Sequence, residues 1–430
     1  MKKRMWFSAV FLLAVCGIVM CACRCTDDTE NEPVTDMADN SGTATVWEVE
    51  NMPADFILGM DASCVPALEA GGVRYYDSDG TEKDVYAILS ENGIDYIRVR
   101  IWNDPFDAAG HGYGGGNCDI NNAIAIGKRA TAQGMKLLVN FHYSDFWADP
   151  SKQMVPKAWQ GMNLADKAEA LYQYTKECLG KLLAEGVDIG MVQVGNETNG
   201  SMCGETDWAN IARLMSEGSR AVREMCPEAL VVLHFANPET ESRYAEYGRM
   251  LQQYEVDYDV FASSYYPFWH GTLDNLAGVL TDIAVTYGKK VMVAETSYAY
   301  TSEDTDFYGN TVGEGSASPG YPISIQGQMK LVRDVVDTVV NKTKNGIGVF
   351  YWEGTWIAAG GKNYEENRAL WEKYGSGWAS SYAAEYDPKD AGKWYGGCSV
   401  DNQAFFDKNG MATEALRVFS MIRSETDVNK

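Results

Sequence analysis

Short runs of apolar and β-branched residues alternate with amphipathic stretches along most of this chain. Five of the runs begin at a glycine that closes the stretch before it: G-I-D-Y-I-R-V-R (93–100), G-M-K-L-L-V-N-F (134–141), G-V-D-I-G-M-V-Q-V (186–194), G-K-K-V-M-V-A-E (288–295) and G-I-G-V-F-Y-W (346–352). Glycine after a helix takes the left-handed conformation without a Cβ penalty, and an unbroken apolar run suits a parallel strand covered on both faces. L-V-V-L-H (230–234) and D-V-F-A-S-S (259–264) add two strands, and F-I-L-G-M-D (56–61) opens the series. Between strands, Leu164, Ala168, Leu171, Tyr174, Cys178 and Leu182 fall on one helical stripe, and Trp208, Ile211, Met215, Ala221 and Met225 on another. Eight such units predict an α/β protein, a (β/α)8 TIM barrel with enlarged βα loops, as a single domain over residues 51–425. A doubly wound open sheet is the competing arrangement, but no G-x-G-x-x-G follows the first strand.

The N-terminus does not belong to this pattern. Residues 1–23 place Lys2, Lys3 and Arg4 before an apolar run from Met5 to Ala22, which reads as a secretory signal; an uncleaved membrane anchor is the alternative. The run ends among Cys16, Cys21, Cys23 and Cys25 and resembles a bacterial lipoprotein signal, with Ala22 as the small residue before a lipidated Cys23. Residues 24–50 are acidic and polar and read as a flexible tether. Six cysteines remain. Cys178 and Cys226 lie on helical stripes as buried thiols, whereas Cys64 and Cys118, just beyond the first two strands, are candidates for a disulfide in an exported protein. Their spacing matches no zinc site.

Charge narrows the class of ligand. A formal net charge of −24 opposes binding to nucleic acid or to anionic lipid, and is indifferent to a neutral substrate. Trp and Tyr are numerous, 12 and 25. They supply the flat apolar faces with polar rims that sugars need, although large cores use them as well.

In a TIM barrel the active site lies at the carboxyl ends of the strands. Here those ends carry Asp61; Arg98 and Arg100, then Trp102-Asn103-Asp104; N-F-H-Y-S-D-F-W (140–147); V-G-N-E-T-N-G (194–200); His234; S-Y-Y-P-F-W-H (264–270); A-E-T-S-Y (294–298); and Y-W-E-G-T-W (351–356). Glu197 and Glu295 end the fourth and seventh strands, nearly opposite one another. Retaining glycoside hydrolysis uses two carboxyl groups about 5–5.5 Å apart, one as acid/base and one as nucleophile. Glu197 is assigned the first role and Glu295 the second. Asn196 is placed to bond a sugar 2-OH, Arg98 to pair with Glu295, Tyr265 or Tyr266 to hydrogen-bond the nucleophile, and Trp352 to floor the central sugar site. Barrel-core packing is the competing role for these neighbours. No G-x-S-x-G, H-x-H or H-E-x-x-H is present, which disfavours serine and zinc hydrolases.

The strings G-M-D-A-S (59–63), R-V-R-I-W-N-D-P (98–105), G-Y-G-G-G-N (112–117), F-H-Y-S-D-F-W-A-D-P (141–150), V-Q-V-G-N-E-T-N-G (192–200) and A-E-T-S-Y (294–298) resemble the arabinogalactan endo-β-1,4-galactanases, glycoside hydrolase family 53. The resemblance spans about residues 55–420. It implies retaining endo-cleavage of β-1,4-galactan, as in pectin side chains, with Glu197 as acid/base and Glu295 as nucleophile. It places sugar contacts on Asp61, Arg98, His142, Asp145, Trp147, Asn196, Tyr265 and Trp352. It also implies a structural calcium after the seventh strand. There Asp304, Asp306 and Asn310 are closely spaced hard oxygen donors, to which the carbonyls of Tyr308 and Cys398 and the side chain of Asp401 would add. No cofactor is expected for catalysis. The enzyme is expected to be a monomer that is exported and touches a membrane only through an N-terminal lipid. Two other readings stand beside this one: a clan relative acting on mannan, xylan or a glucan, and a non-catalytic glycan-binding lipoprotein.

Overall fold

The computed structural model describes residues 44–360, 363–393 and 397–423, all within the compact unit Asp39–Lys430. Eight parallel strands close into a barrel in sequential order: β1 (Ile57–Asp61), β2 (Tyr96–Ile101), β3 (Lys136–Phe141), β4 (Ile189–Val194), β5 (Leu230–Phe235), β6 (Val260–Ser264), β7 (Lys290–Thr296) and β8 (Gly346–Tyr351). Each expected run coincides with one of these strands, and β2, β5 and β7 each extend one residue beyond it. The two helical stripes form Leu164–Ala184 and Trp208–Met225, started by Asn163 and Asp207, whose side chains accept backbone N–H groups of the first turn.

The glycine punctuation holds at Gly288, which ends helix Leu273–Tyr287 at φ 66°. It shifts by one residue before β8. There Asn345 takes the left-handed position at φ 53°, and Gly346 is required for space, since a Cβ would lie 2.2 Å from the Val339 carbonyl oxygen.

Period-2 alternation gives each strand one face toward the helices and one toward the barrel axis. The axial face is apolar in its lower part: Leu138, Met191, Val232, Val260, Ala262, Met292, Ala294 and Phe350 form a separate buried cluster. Phe350 takes the largest share. Gly59 on β1 makes room for it, because a Cβ there would sit 2.2 Å from the ring. This plug is a packed floor, so polar side chains further along the same faces open only upward.

The expected signal of residues 1–23 and most of the expected tether of 24–50 lie outside the described residues. The tether ends earlier than expected. Val49 is buried and donates its N–H to the Ile422 carbonyl at 2.9 Å, and Thr45 exchanges two hydrogen bonds with the Gln326 side chain. Cys64, Cys118, Cys178 and Cys226 are buried free thiols. The candidate disulfide is absent: Cys64 Sγ takes a hydrogen bond from Arg100, while Cys118 Sγ bonds to the Gly115 carbonyl.

Phe350→Ala empties the centre of the plug. It is expected to lower the unfolding free energy by about 3–5 kcal/mol, measured as a fall in the denaturant midpoint at unchanged slope.

Candidate active site

Above the plug lies a cleft of about 400 Å³, within the usual range for small-molecule sites. Its lining includes Asp61, Arg98, His142, Trp147, Asn196, Glu197, Glu295 and Trp352. Six of the eight expected sugar-contact positions and both glutamates therefore meet in one place.

Two local irregularities aim the glutamates. Ala294 belongs to the plug, so strict alternation would turn Glu295 outward. The pairing of β6 with β7 slips between Ser263 and Ser264, so Ser264 faces Glu295, and the slip brings Glu295 into the mouth. Glu197 follows β4 in a left-handed conformation, φ 47°, which is uncommon for a residue with a Cβ.

Once aimed, the two carboxyls meet different partners. Glu295 receives a donor on each oxygen: Arg98 Nη1 at 2.8 Å from Oε1 and the Tyr266 hydroxyl at 3.0 Å from Oε2. Glu197 accepts a 2.6 Å bond from Ser264 Oγ. Burial, and next the nearby charge of Glu295, push its carboxyl up to about 8, against the Ser264 bond and Arg98. One group is ion-paired and doubly hydrogen-bonded, and the other is pushed toward keeping its proton at neutral pH.

Arg98 also binds Asp61 Oδ2 at 2.6 Å, Asn196 Oδ1 at 2.8 Å and Gln193 Oε1 at 3.1 Å. Burial raises Asp61 to about 7, with Arg98 pulling the other way. Asn196 donates through Nδ2 to the Ala148 carbonyl at 2.9 Å, which fixes its amide orientation. His142 Nδ1 accepts from both Trp102 Nε1 and the Ala148 N–H at 3.1 Å, leaving Nε2 to carry the proton. Burial and two arginines hold this ring neutral. Trp147 stacks on Trp378 at 4.5 Å between centroids, with the Arg100 guanidinium 4.3 Å from its own centroid. Buried Glu353 in turn binds Arg100. Trp352 completes the aromatic wall, and Trp269 stands at the rim with 59% of its surface exposed.

Two expected contacts are corrected. Tyr265 points away from the cleft, and its hydroxyl donates to the Gly271 carbonyl at 3.0 Å, so the partner of Glu295 is Tyr266. Alternation carried that signal, because Ala262, Ser264 and Tyr266 share a face. Asp145 braces loops instead of lining the cleft. It accepts from the N–H groups of Asp104 and Lys157, at 3.0 and 2.6 Å, and from the Tyr386 hydroxyl at 2.8 Å. Of the residues not anticipated, Arg100 and Asn140, which line the cleft, and Ser264, which bonds Glu197, sit on inward-facing strand positions and were legible from period 2. Trp378 lies in the long segment after β8, where no strand end marks it.

The loop after β7 gathers acids. Single carboxylate oxygens of Asp304, Asp306 and Asp401 lie within 4.8 Å of one another. Burial, then the charge of Asp401, raises Asp306 to about 9, and burial raises Asp401 to about 6. Asn310 Oδ1 and Asp401 Oδ1 are buried with no hydrogen-bond partner among the described residues. Asp306 accepts from the N–H groups of Tyr308 at 2.6 Å and Cys398 at 3.0 Å, which draws both expected carbonyl donors into the loop. Gly397 leaves Asp306 its space, since a Cβ would fall 1.7 Å from Oδ2. Crowded acids and orphaned acceptor oxygens fit a hard cation.

Comparison with known proteins agrees with this geometry. The chain is 60% identical, over 88% of its length and 89% of the relative's, to an endo-beta-1,4-galactanase of Bacillus subtilis (strain 168). It is 35% identical, over 80% of its length and 88% of the relative's, to an arabinogalactan endo-beta-1,4-galactanase of Cellvibrio japonicus. Among solved structures, the GH53 catalytic domain of Ignisphaera aggregans superposes with a TM-score of 0.78 at 36% identity, covering 89% of this chain and all of that one, 100%. The model of glycosyl hydrolase family 53 matches residues 57–419, and the chain belongs to that family.

Proposed function

We propose that this protein is a retaining endo-β-1,4-galactanase, with Glu295 as nucleophile and Glu197 as acid/base. The observation that carries the mechanism is the unequal treatment of two carboxyls in one cleft: Glu295 between Arg98 and Tyr266, Glu197 pushed up to about 8. The substrate class rests on the names of the galactanase relatives.

In the first step a Glu295 oxygen attacks the anomeric carbon while the glycosidic C–O bond breaks and Glu197 protonates the leaving oxygen. The product is a glycosyl ester on Glu295. Esterification removes the charge of Glu295, which is the second-largest influence holding Glu197 high. Glu197 is thereby a weaker holder of its proton in the intermediate, as a base requires. It then takes a proton from water, whose oxygen attacks the anomeric carbon and releases Glu295. Trp147, Trp352 and Trp378 offer faces for sugar rings, and the neutral His142 offers an Nε2–H donor.

A calcium ion is proposed for the loop after β7, held by Asp304, Asp306, Asn310 and Asp401 with the carbonyls of Tyr308 and Cys398. Its support is the acid cluster and the orphaned oxygens of Asn310 and Asp401. Such an ion would neutralise the acids and tie the loop at 304–310 to that at 398–401. The signal-like N-terminus supports export, with a lipid on Cys23.

On unbranched β-1,4-galactan the enzyme is expected to release shorter oligosaccharides whose first anomer, followed by NMR, is β; first release of the α anomer would overturn retention. Glu295→Ala is expected to abolish turnover, with azide restoring part of it. Activity is expected to fall as pH rises through about 8, where Glu197 loses its proton, and Glu197→Gln is expected to remove that limb. Tyr266→Phe should lower kcat by about 10- to 100-fold, the worth of one hydrogen bond to a charged group; Tyr265→Phe should leave it within about twofold.

Calcium should raise the melting temperature, and a chelator should lower it. Because Asp306 and Asp401 bind protons in competition with the ion, affinity measured by calorimetry should weaken as pH falls from 8 to 6. A melting temperature indifferent to both calcium and chelator would refute the site.

A further inference from the structure

Glu197 has one oxygen tied and one left to the cleft. Ser264 Oγ lies 2.6 Å from Oε1, and among the described residues no side chain hydrogen-bonds Oε2. Behind Ser264 stands His234, the last inward residue of β5, with Nε2 2.9 Å from Ser264 Oγ. His234 is wholly buried, and burial, followed by Arg98, holds its ring neutral. Its Nδ1 is seated at 3.1 Å from both Gln193 Nε2 and Asn196 Oδ1. A line of polar groups therefore runs from the β4 amides through His234 and Ser264 and ends on a single oxygen of the acid/base. None of these groups except Glu197 has a role in the reaction as derived above.

We propose that Ser264, oriented by His234, is a positioning residue that reserves Oε1 of Glu197 as a hydrogen-bond acceptor and so confines the transferable proton to Oε2. A hydroxyl has one proton. When Ser264 gives it to Oε1, that oxygen is the poorer site for a second proton, and Oε2 becomes the acid that faces the glycosidic oxygen and later the water. The bond persists when Glu197 is ionised and is then stronger, because the acceptor is charged. Ser264 consequently favours the ionised form and limits how far burial can raise the group. The other charged and titratable groups that face Glu197 are Glu295 from β7, Arg98 from β2, Asp149 from the loop after β3, Tyr244 from the helix Arg243–Gln253, and Tyr266 and His270 from the segment after β6. None of them replaces the donor on Oε1.

The proposal rests on Glu197 being the acid/base, and the experiment separates the two. The pH dependence of kcat/KM on unbranched β-1,4-galactan reports the acid of the free enzyme. In Ser264→Ala the basic limb is expected to move up by about one pH unit, with a drop in kcat at neutral pH from slower deglycosylation. Ser264→Thr keeps the hydroxyl and is expected to return the limb to the wild-type position. His234→Asn retains an amide near Gln193 and Asn196 but falls short of Ser264, and is expected to shift the limb in the same direction; His234→Gln reaches Ser264 and is expected to shift it less. Combining His234→Asn with Ser264→Ala should add nothing to Ser264→Ala alone. A basic limb that stays in place in an active, folded Ser264→Ala enzyme overturns the role of Ser264, and additive shifts overturn the role of His234. A wild-type enzyme with no such limb, or one unchanged in Glu197→Gln, would instead count against Glu197 as the acid.

Discussion

The guanidinium of Arg98 is buried at the base of the cleft, and four side chains, from three strands and one turn, converge on it. Asp61 comes from β1, Gln193 from β4, Asn196 from the turn after β4, and Glu295 from β7. A buried cation without partners would cost several kcal/mol, and so would each of the carboxylates it faces. Together they form a set in which every member depends on the others. Removing Arg98 would leave Asp61 and Glu295 facing each other across a dry floor; removing Asp61 would leave Glu295 alone to balance the arginine. Glu295, the proposed nucleophile, is held in place by the same interaction that makes the polar floor tolerable at all.

That polar layer can exist because an apolar one lies beneath it. On β3 the inward positions run Leu138, Asn140, His142; on β5 they run Val232, His234; on β6, Val260, Ala262, Ser264, Tyr266. On each strand the change from apolar to polar comes near the carboxyl end, and around the barrel these changes form a level. Below it, Phe350 and its neighbours exclude water. Above it, hydrogen bonds run between strands, so Asn140, Gln193, Asn196 and His234 satisfy one another without solvent. The satisfied network then fixes orientations, such as that of the Asn196 amide, that a solvated site would leave free.

Much of this was legible in the sequence because it rests on periods. Glycine punctuation located five of the eight strands and short apolar runs the other three, and strand ends located the mouth. What escaped follows from departures from those periods. The slip of β6 against β7 lets both Ala294 and Glu295 face the barrel, which alternation alone forbids. Glu295 was identified as a strand-end acid in a recognisable string, and not by its facing. Tyr265 and Tyr266 both stood open as partners of the nucleophile and the resemblance placed the sugar contact on Tyr265, although alternation from Ser264 favours Tyr266. Asp145 was placed in the site by the resemblance; its partners are backbone N–H groups and the Tyr386 hydroxyl in other loops, which no local pattern announces. Trp378 belongs to the segment after β8, whose path is set by long-range bonds such as the Trp378 N–H to the Gly397 carbonyl.

The cleft joins this segment to the loop after β7 in one further respect. Thr311, Ser399 and Val400 line the cleft, and Thr311 donates its N–H to the Ser399 carbonyl at 2.8 Å. The residues just before and after this contact, Asn310 and Cys398 to Asp401, are the proposed cation ligands. Acids crowded in a buried loop repel one another, and without compensation their charge is relieved only by taking up protons or by spreading the loop. A bound cation removes both outcomes and holds the two segments at the spacing that Thr311 and Ser399 require. With the proposed ion in place, the wall of the cleft beyond the barrel would owe its shape to charge balance, as the floor does at Arg98. The floor carries its own cation within the fold, whereas the wall, on that proposal, would take one from solution.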